Sequence, residues 1–339
     1  LTTARSAELA DKSNLFSLNR QTDQVTLNGK RYERAYDAAT RTFTDTSPAL
    51  RRTTTQIDAQ GRPLRIEAAG LLPISIAYDR HGRPAQIVNG DSVSDPANAR
   101  STSFAYNAAG QLASVTDALG RSEAYAYDAA GRLTAQMLPD SRQVLYTYDA
   151  NGNLASITPP GRPAHAFAYT PVDLQQMYAP PQVPDAGSVS TAYAYDLDRQ
   201  LTRITRPDAK TIDVGYDTAG RIATSTTPTG VTGYSYDPAT GHLARVSAPG
   251  GVAHAFSYDG ALPVKEVLSG PVAGTISRTY DDDFKVTSLA VNGQAVSFAY
   301  DQDGLLTQAG GLTIARRADN GLISGSELGS TSTTQTYNG

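Results

Sequence analysis

The chain has 339 residues, 40% of them hydrophobic and 18% charged, which excludes a disordered polar tract and leaves one large or several ordinary domains. A net charge of −4 and a pI near 5.6 supply no basic surface for nucleic acid or an anionic membrane. Cysteine is absent, which excludes disulfides, thiolate metal sites and a cysteine nucleophile but leaves the compartment open.

In chain order, Leu1 is followed by no charged-then-apolar leader, and the chain stops at "TYNG"; both ends read as cuts in a longer polypeptide. Residues 1–30 are expected to form an N-terminal hairpin or cap, with Asn28–Gly29 as a hairpin turn. The longest apolar run, "GLLPISIAY", contains Pro73 and falls short of the ~18–20 residues of a membrane helix.

From residue 31 to 339 one phrase recurs. Aligned on the tyrosine before an aspartate, its positions are Tyr36, Ile57, Tyr78, Tyr106, Tyr127, Tyr148, Tyr169, Tyr195, Tyr216, Tyr236, Tyr258, Tyr280, Tyr300, Arg317 and Tyr337. Many intervals are 21 residues, a period that marks a repeat architecture. Inside one period, "EAYAY" (123–127) alternates as a strand, "DAAG" (128–131) turns on a positive-φ glycine, and "RLTAQML" (132–138) alternates again. A second turn follows, marked by Pro139, Pro160, Pro207, Pro228, Pro249 and Pro271. Each period is therefore a hairpin, and the whole is expected to hold on the order of 30 strands with almost no helix. The fold class is all-β: hairpins stacked into a spiralling sheet or partial shell, because one hairpin alone cannot bury its apolar face. Tyrosines at one register are expected to stand side by side as a ladder of adjacent rings.

Ten copies of "YD" stand in the chain, and several continue as "YDxxGR(L/I)", most fully "YDAAGRLTAQMLPD" and "YDTAGRIATSTTP". Over roughly residues 30–339 this resembles the YD repeats of the Rhs family, which includes bacterial polymorphic toxins, C components of insecticidal toxin complexes, wall-associated proteins and teneurins. The resemblance implies a long sheet of hairpins spiralling into a hollow shell. In toxin members that shell encloses a C-terminal toxin segment. The family's terminal core, with its "DPxGR" or "DPxGL" motif, is not present, so self-cleavage is not carried over. About fifteen units read as an open piece of wall.

The repeat-signature residues are Tyr78, Asp79, Tyr127, Asp128, Gly131, Arg132, Tyr148, Asp149, Gly152, Tyr195, Asp196, Tyr216, Asp217, Gly220, Arg221, Tyr236, Tyr258, Tyr280 and Tyr300, all with structural roles. The aspartates are expected to cap their turns by accepting backbone N–H bonds, with an arginine four residues on as a cross-turn partner. "DANGN" (149–153), "DLD" (196–198), "DDD" (281–283) and "DQDG" (301–304) resemble calcium loops but lack the closing glutamate, so no metal and no cofactor are assigned. His165 and His254 share one repeat position and read as wall residues; His81 and His242 read as solvated. No phosphate loop, "GxSxG" elbow or triad order is present, and no catalytic residue is named.

Insertions near 89–102 and 178–190 lengthen two periods and are the candidate recognition loops; "SGSELGSTSTTQT" (324–336) reads as a frayed edge or last repeat. The leading function is a non-catalytic shell segment of a secreted or cell-surface bacterial protein. Its partners are a C-terminal toxin or other parts of the same polypeptide, with no nucleic acid and no membrane span. The alternative is an adhesion or carbohydrate-binding module for surface glycans or a receptor. A third class, a polysaccharide-acting enzyme, would require polar groups converging in one groove.

Overall fold

The structure is a computed structural model and describes residues 1–91, 95, 97–182 and 189–337. Among these residues it contains 31 strands and a single 3₁₀ turn, Pro249–Gly251. Every strand pairs antiparallel with its neighbours in the chain, from Thr2–Leu9 against Leu18–Leu27 to Ile323–Leu328 against Thr331–Thr334. The fold is thus one long meander, and its two edge strands do not pair with each other. The low-complexity stretch at 324–336 supplies the last hairpin rather than a frayed end.

The two turn types alternate, so each gathers on one rim of the ribbon. Asp–Gly turns form the first rim; the second turns of each period, including the proline turns, form the other. On the first rim the Asp128 N–H donates to the Arg132 carbonyl, and the Gly131 N–H donates back to the Asp128 carbonyl. Gly131 takes φ +84°, and the pairing then slips by one residue between Ala126 and Tyr127. This is a glycine bulge: the extra residue increases the local twist and curls the ribbon. Both insertions lie on the second rim, and the strands flanking them still pair, Pro84–Asn89 with Arg100–Tyr106 and Gln175–Ala179 with Thr191–Tyr195. Of the candidate recognition loops at 89–102 and 178–190, residues 92–94, 96 and 183–188 fall outside the described residues.

The molecule has almost no core. Among the described residues only Ala35 and Ala253 are buried hydrophobics. The accessible surface is 21190 Å², against about 13,000 Å² for a compact globule of this mass. A single-layer wall, wet on both faces, accounts for the excess. The repeat itself must therefore satisfy its own polar groups and cover its own rings.

Candidate functional site

The repeat does so through a relay of three residue types. Asp128 Oδ1 accepts the N–H groups of Ala130 and Arg132 at 2.9 Å, and its Oδ2 accepts Arg132 Nε at 2.8 Å. The Arg132 guanidinium then lies 4.6 Å from the centroid of the next register ring, Tyr148. The Tyr148 hydroxyl donates at 2.8 Å to the carbonyl of Leu133. Leu133 pairs with Tyr127 on one side, but pairing with the next strand begins only at Ala135–Leu145. The bulge leaves that carbonyl without a strand partner, and the tyrosine supplies one. The same hydroxyl-to-carbonyl bond recurs from Tyr78 to Pro63, Tyr127 to Leu112, Tyr195 to Gln175, Tyr216 to Leu201, Tyr236 to Ile222, Tyr258 to Leu243, Tyr280 to Pro263 and Tyr300 to Val286. Asp79 and Asp217 hold Arg83 and Arg221 in the Asp128 manner. Asp149 and Asp196 receive Asn153 and Gln200 N–H groups instead, with Gly152 and Gly220 at positive φ in the Asp149 and Asp217 turns.

Three expectations change. The register tyrosines do not form a ladder of touching rings. They occupy every second strand, about 9–10 Å apart, which is beyond pairing distance. Arginine planes fill some of the gaps, beside Tyr78, Tyr106, Tyr148 and Tyr236. His242, expected to be solvated, takes that place beside Tyr258, with centroids 4.7 Å apart. At the penultimate unit the tyrosine position belongs to Arg316, not Arg317. Arg316 Nε donates to the Leu306 carbonyl as a tyrosine hydroxyl does, while Arg317 occupies the aspartate position of the turn.

The histidines do not converge on a site. His165 Nδ1 lies 2.7 Å from the Tyr178 hydroxyl, and His254 Nε2 lies 2.8 Å from Glu266, which Arg278 also binds. His81 is exposed beside Arg80 on the first rim. Surface recesses are open clefts between turns, such as one lined by Asp79, His81, Arg83 and Tyr106. Among the described residues no cluster of His, Asp or Glu could hold a metal ion.

The groups that do converge come from opposite rims and distant parts of the chain. Asn28 Nδ2 donates at 2.8 Å to the Asp282 carbonyl and to Asp283 Oδ1, and Lys30 Nζ pairs with Asp283 Oδ2. Asp303 accepts the Ser47 hydroxyl at 2.7 Å, the Ala49 N–H at 2.8 Å and Arg51 Nη1 at 2.6 Å, while Arg51 Nη2 binds Asp301 at 2.7 Å. Asn320 Nδ2 donates at 3.0 Å to the Ala69 carbonyl. Gly70 (φ +69°) lets the chains close here, since a Cβ would meet Arg317 at 2.5 Å. The partners are 250 to 256 positions apart, and each early second-rim turn sits on a first-rim turn 23 strands further on. The ribbon has come full circle, and its rims meet in a polar seam.

The seam side chains are mostly covered, at 14–18% exposure for Lys30, Arg51, Asp283, Asp301 and Asp303. The Asp283 carboxyl is held below its ordinary range by the Lys30 and Asn28 hydrogen bonds. Burial pushes Asp301 upward, but the Leu305 N–H and Arg51 outweigh it and its acidity increases. Lys30, Ser47, Arg51 and Asn320 could not be singled out from sequence, because nothing local says which turns meet after a full circle. One signal was present. An acid two positions into the turn occurs at Asp283, Asp303 and Asp319 on the seam and at Asp198 elsewhere, where other turns carry residues such as Ala130, Ala219 or Gln60. "DDD" and "DQDG", which resemble calcium loops, are seam turns whose carboxylates face Lys30 and Arg51.

A family model described as the teneurin YD-shell matches residues 4–339. The chain belongs to the teneurin YD-shell family. That YD-shell is a structural shell fold. A crystal structure of TcdB2-TccC3 is similar, with TM-score 0.53 and 13% identity, over 92% of this chain and 22% of that one. Further similarities are to TcdB2-TccC3-Cdc42 (TM-score 0.48, 14% identity, 91% and 23% coverage) and to the Photorhabdus luminescens Tc holotoxin pore (0.44, 11%, 96% and 25%). This YD-shell chain thus spans about a quarter of the length of these structures. A comparison with curated proteins finds no match. Among the described residues no helix is long and apolar enough to cross a membrane.

Proposed function

We propose that this YD-shell chain is a non-catalytic segment of wall in a secreted or cell-surface bacterial protein, enclosing or presenting a C-terminal toxin segment of the same polypeptide. The observation that carries the reading is the seam: a ribbon whose rims meet after 23 strands surrounds a space. At ~4.8 Å per strand the circumference is about 110 Å and the backbone diameter about 35 Å, wide enough for a polypeptide inside. The fold shared with TcdB2-TccC3 supports the toxin setting. Within this segment, residues 1–30 serve as the end hairpin and 31–339 as the repeated wall, and the register Tyr–Asp–Gly–Arg residues are its structural code.

The test is peptide mapping and intact mass of the protein from its source, followed by limited proteolysis. A longer chain whose downstream segment resists protease until the wall is denatured supports the reading. A downstream segment cleaved as fast with the wall folded as without it, or a natural product ending near Gly339, overturns it.

A further inference from the structure

The seam differs in kind from everything else that holds the ribbon together. Among the described residues the backbone ladder links only strands adjacent in the chain, and no strand pairing crosses the seam. Each cross-seam hydrogen bond uses at least one side chain, and two of the three contacts centre on ion pairs: Lys30–Asp283, and Arg51 with Asp301 and Asp303. These charges keep 14–18% exposure, so moderate salt screens them only weakly and reaching them takes salt of about 1 M. The fit is incomplete as well: Arg51 Nε is buried without a partner. Most hairpins, by contrast, carry their own bulge and tyrosine bond, and many a capped turn, as at Asp128, Tyr127 and Tyr148. Structural repeats of this sort fold through contacts with their neighbours alone.

From these observations we infer that the seam is an ionic latch: the shell can unwind along this one line, with the β-ribbon intact, when the Lys30 and Arg51 contacts are screened or reversed. The acids two positions into the turn are the latch's sequence mark. They stand at Asp283, Asp303 and Asp319 on the seam, and Asp198 alone repeats the pattern on another first-rim turn. The inference concerns how the wall opens and does not depend on what it encloses.

The full 339-residue chain has no cysteine, so Leu50→Cys and Asp282→Cys can carry two spin labels across the seam. Leu50 is 78% exposed, and Asp282 contributes only its carbonyl to the seam. Pulsed EPR distances and strand circular dichroism are read together in 50 mM and 1 M NaCl. One short distance at low salt, and a second, longer population at high salt with an unchanged strand signal, is the expected result. Arg51→Glu should show the longer distance already at low salt, and Arg51→Glu with Asp303→Arg should restore the short one. A short distance that persists in every condition overturns the latch. So does a lengthening that appears only as the strand signal is lost, because seam and ribbon would then be one cooperative unit. X-ray scattering of the unlabelled chain gives an independent maximum dimension, which should rise with the longer distance and fall with its rescue.

Discussion

Tyr148 shows what a register tyrosine is for. Its hydroxyl closes the carbonyl that the Leu133 bulge leaves unpaired, and its ring rests on Arg132. Tyr148→Phe should lower stability by about 0.5–1.5 kcal/mol, toward the lower end because water can replace the hydroxyl, measured as a shift in thermal midpoint. Asp79 is the sharpest titration case. Desolvation works against its charge, but the Arg83 and His81 N–H groups and the Arg83 guanidinium outweigh it and bring its pKa to about 2. A folded value below the unfolded ~3.9 means its contribution is present above about pH 4 and lost as pH falls toward 2. The stability difference between wild type and Asp79→Asn should therefore be full at pH 5 and fade between pH 4 and 2, and the Asp79 carboxyl should titrate by NMR well below pH 3.9. The capping aspartate and its arginine were legible in the sequence, because they stand at constant spacing, but the Tyr148 contacts were not, because they reach back to Leu133 and Arg132 of the preceding hairpin. The partner of His254 was not: Glu266 reaches it only through the register of a long hairpin, which no local spacing encodes.

The hairpin depends on one left-handed residue per turn. Gly131 takes this conformation without strain, whereas Phe284 adopts φ +61° in the equivalent place of its own turn. Gly131→Ala should cost about 1 kcal/mol, and Phe284→Gly should shift stability the other way by a smaller amount, since glycine also loosens the unfolded chain. Denaturant titrations of the two variants give opposite shifts of midpoint if the turn geometry is right. The period of 21 residues, the alternation and the turn residues made the hairpins readable. The ladder of touching rings was misread because a one-dimensional register hides the intervening strand, whose arginine or histidine occupies the space. Arg316 was passed over for Arg317 because a guanidinium replaces a phenol at that carbonyl, a substitution of function rather than of residue type.

The whole molecule is a coil of neighbour contacts. Deleting residues 323–339 should leave the remaining strands with native hydrogen-exchange protection, because that hairpin pairs only with the strand Leu312–Arg316 and the seam turn at 317–321 is retained. Loss of protection in the hairpins of residues 100–200 would show that the wall folds as one cooperative body. The sequence by itself determined the strands, both turn types, the capping aspartates and the family. Each follows from contacts within one period, and a period is written out in the chain. Only the tertiary structure decided that the wall comes full circle, and that Lys30 meets Asp283 and Arg51 meets Asp303. Closure is the sum of small twists at every bulge, and the partners it joins lie some 250 residues apart with nothing local to link them.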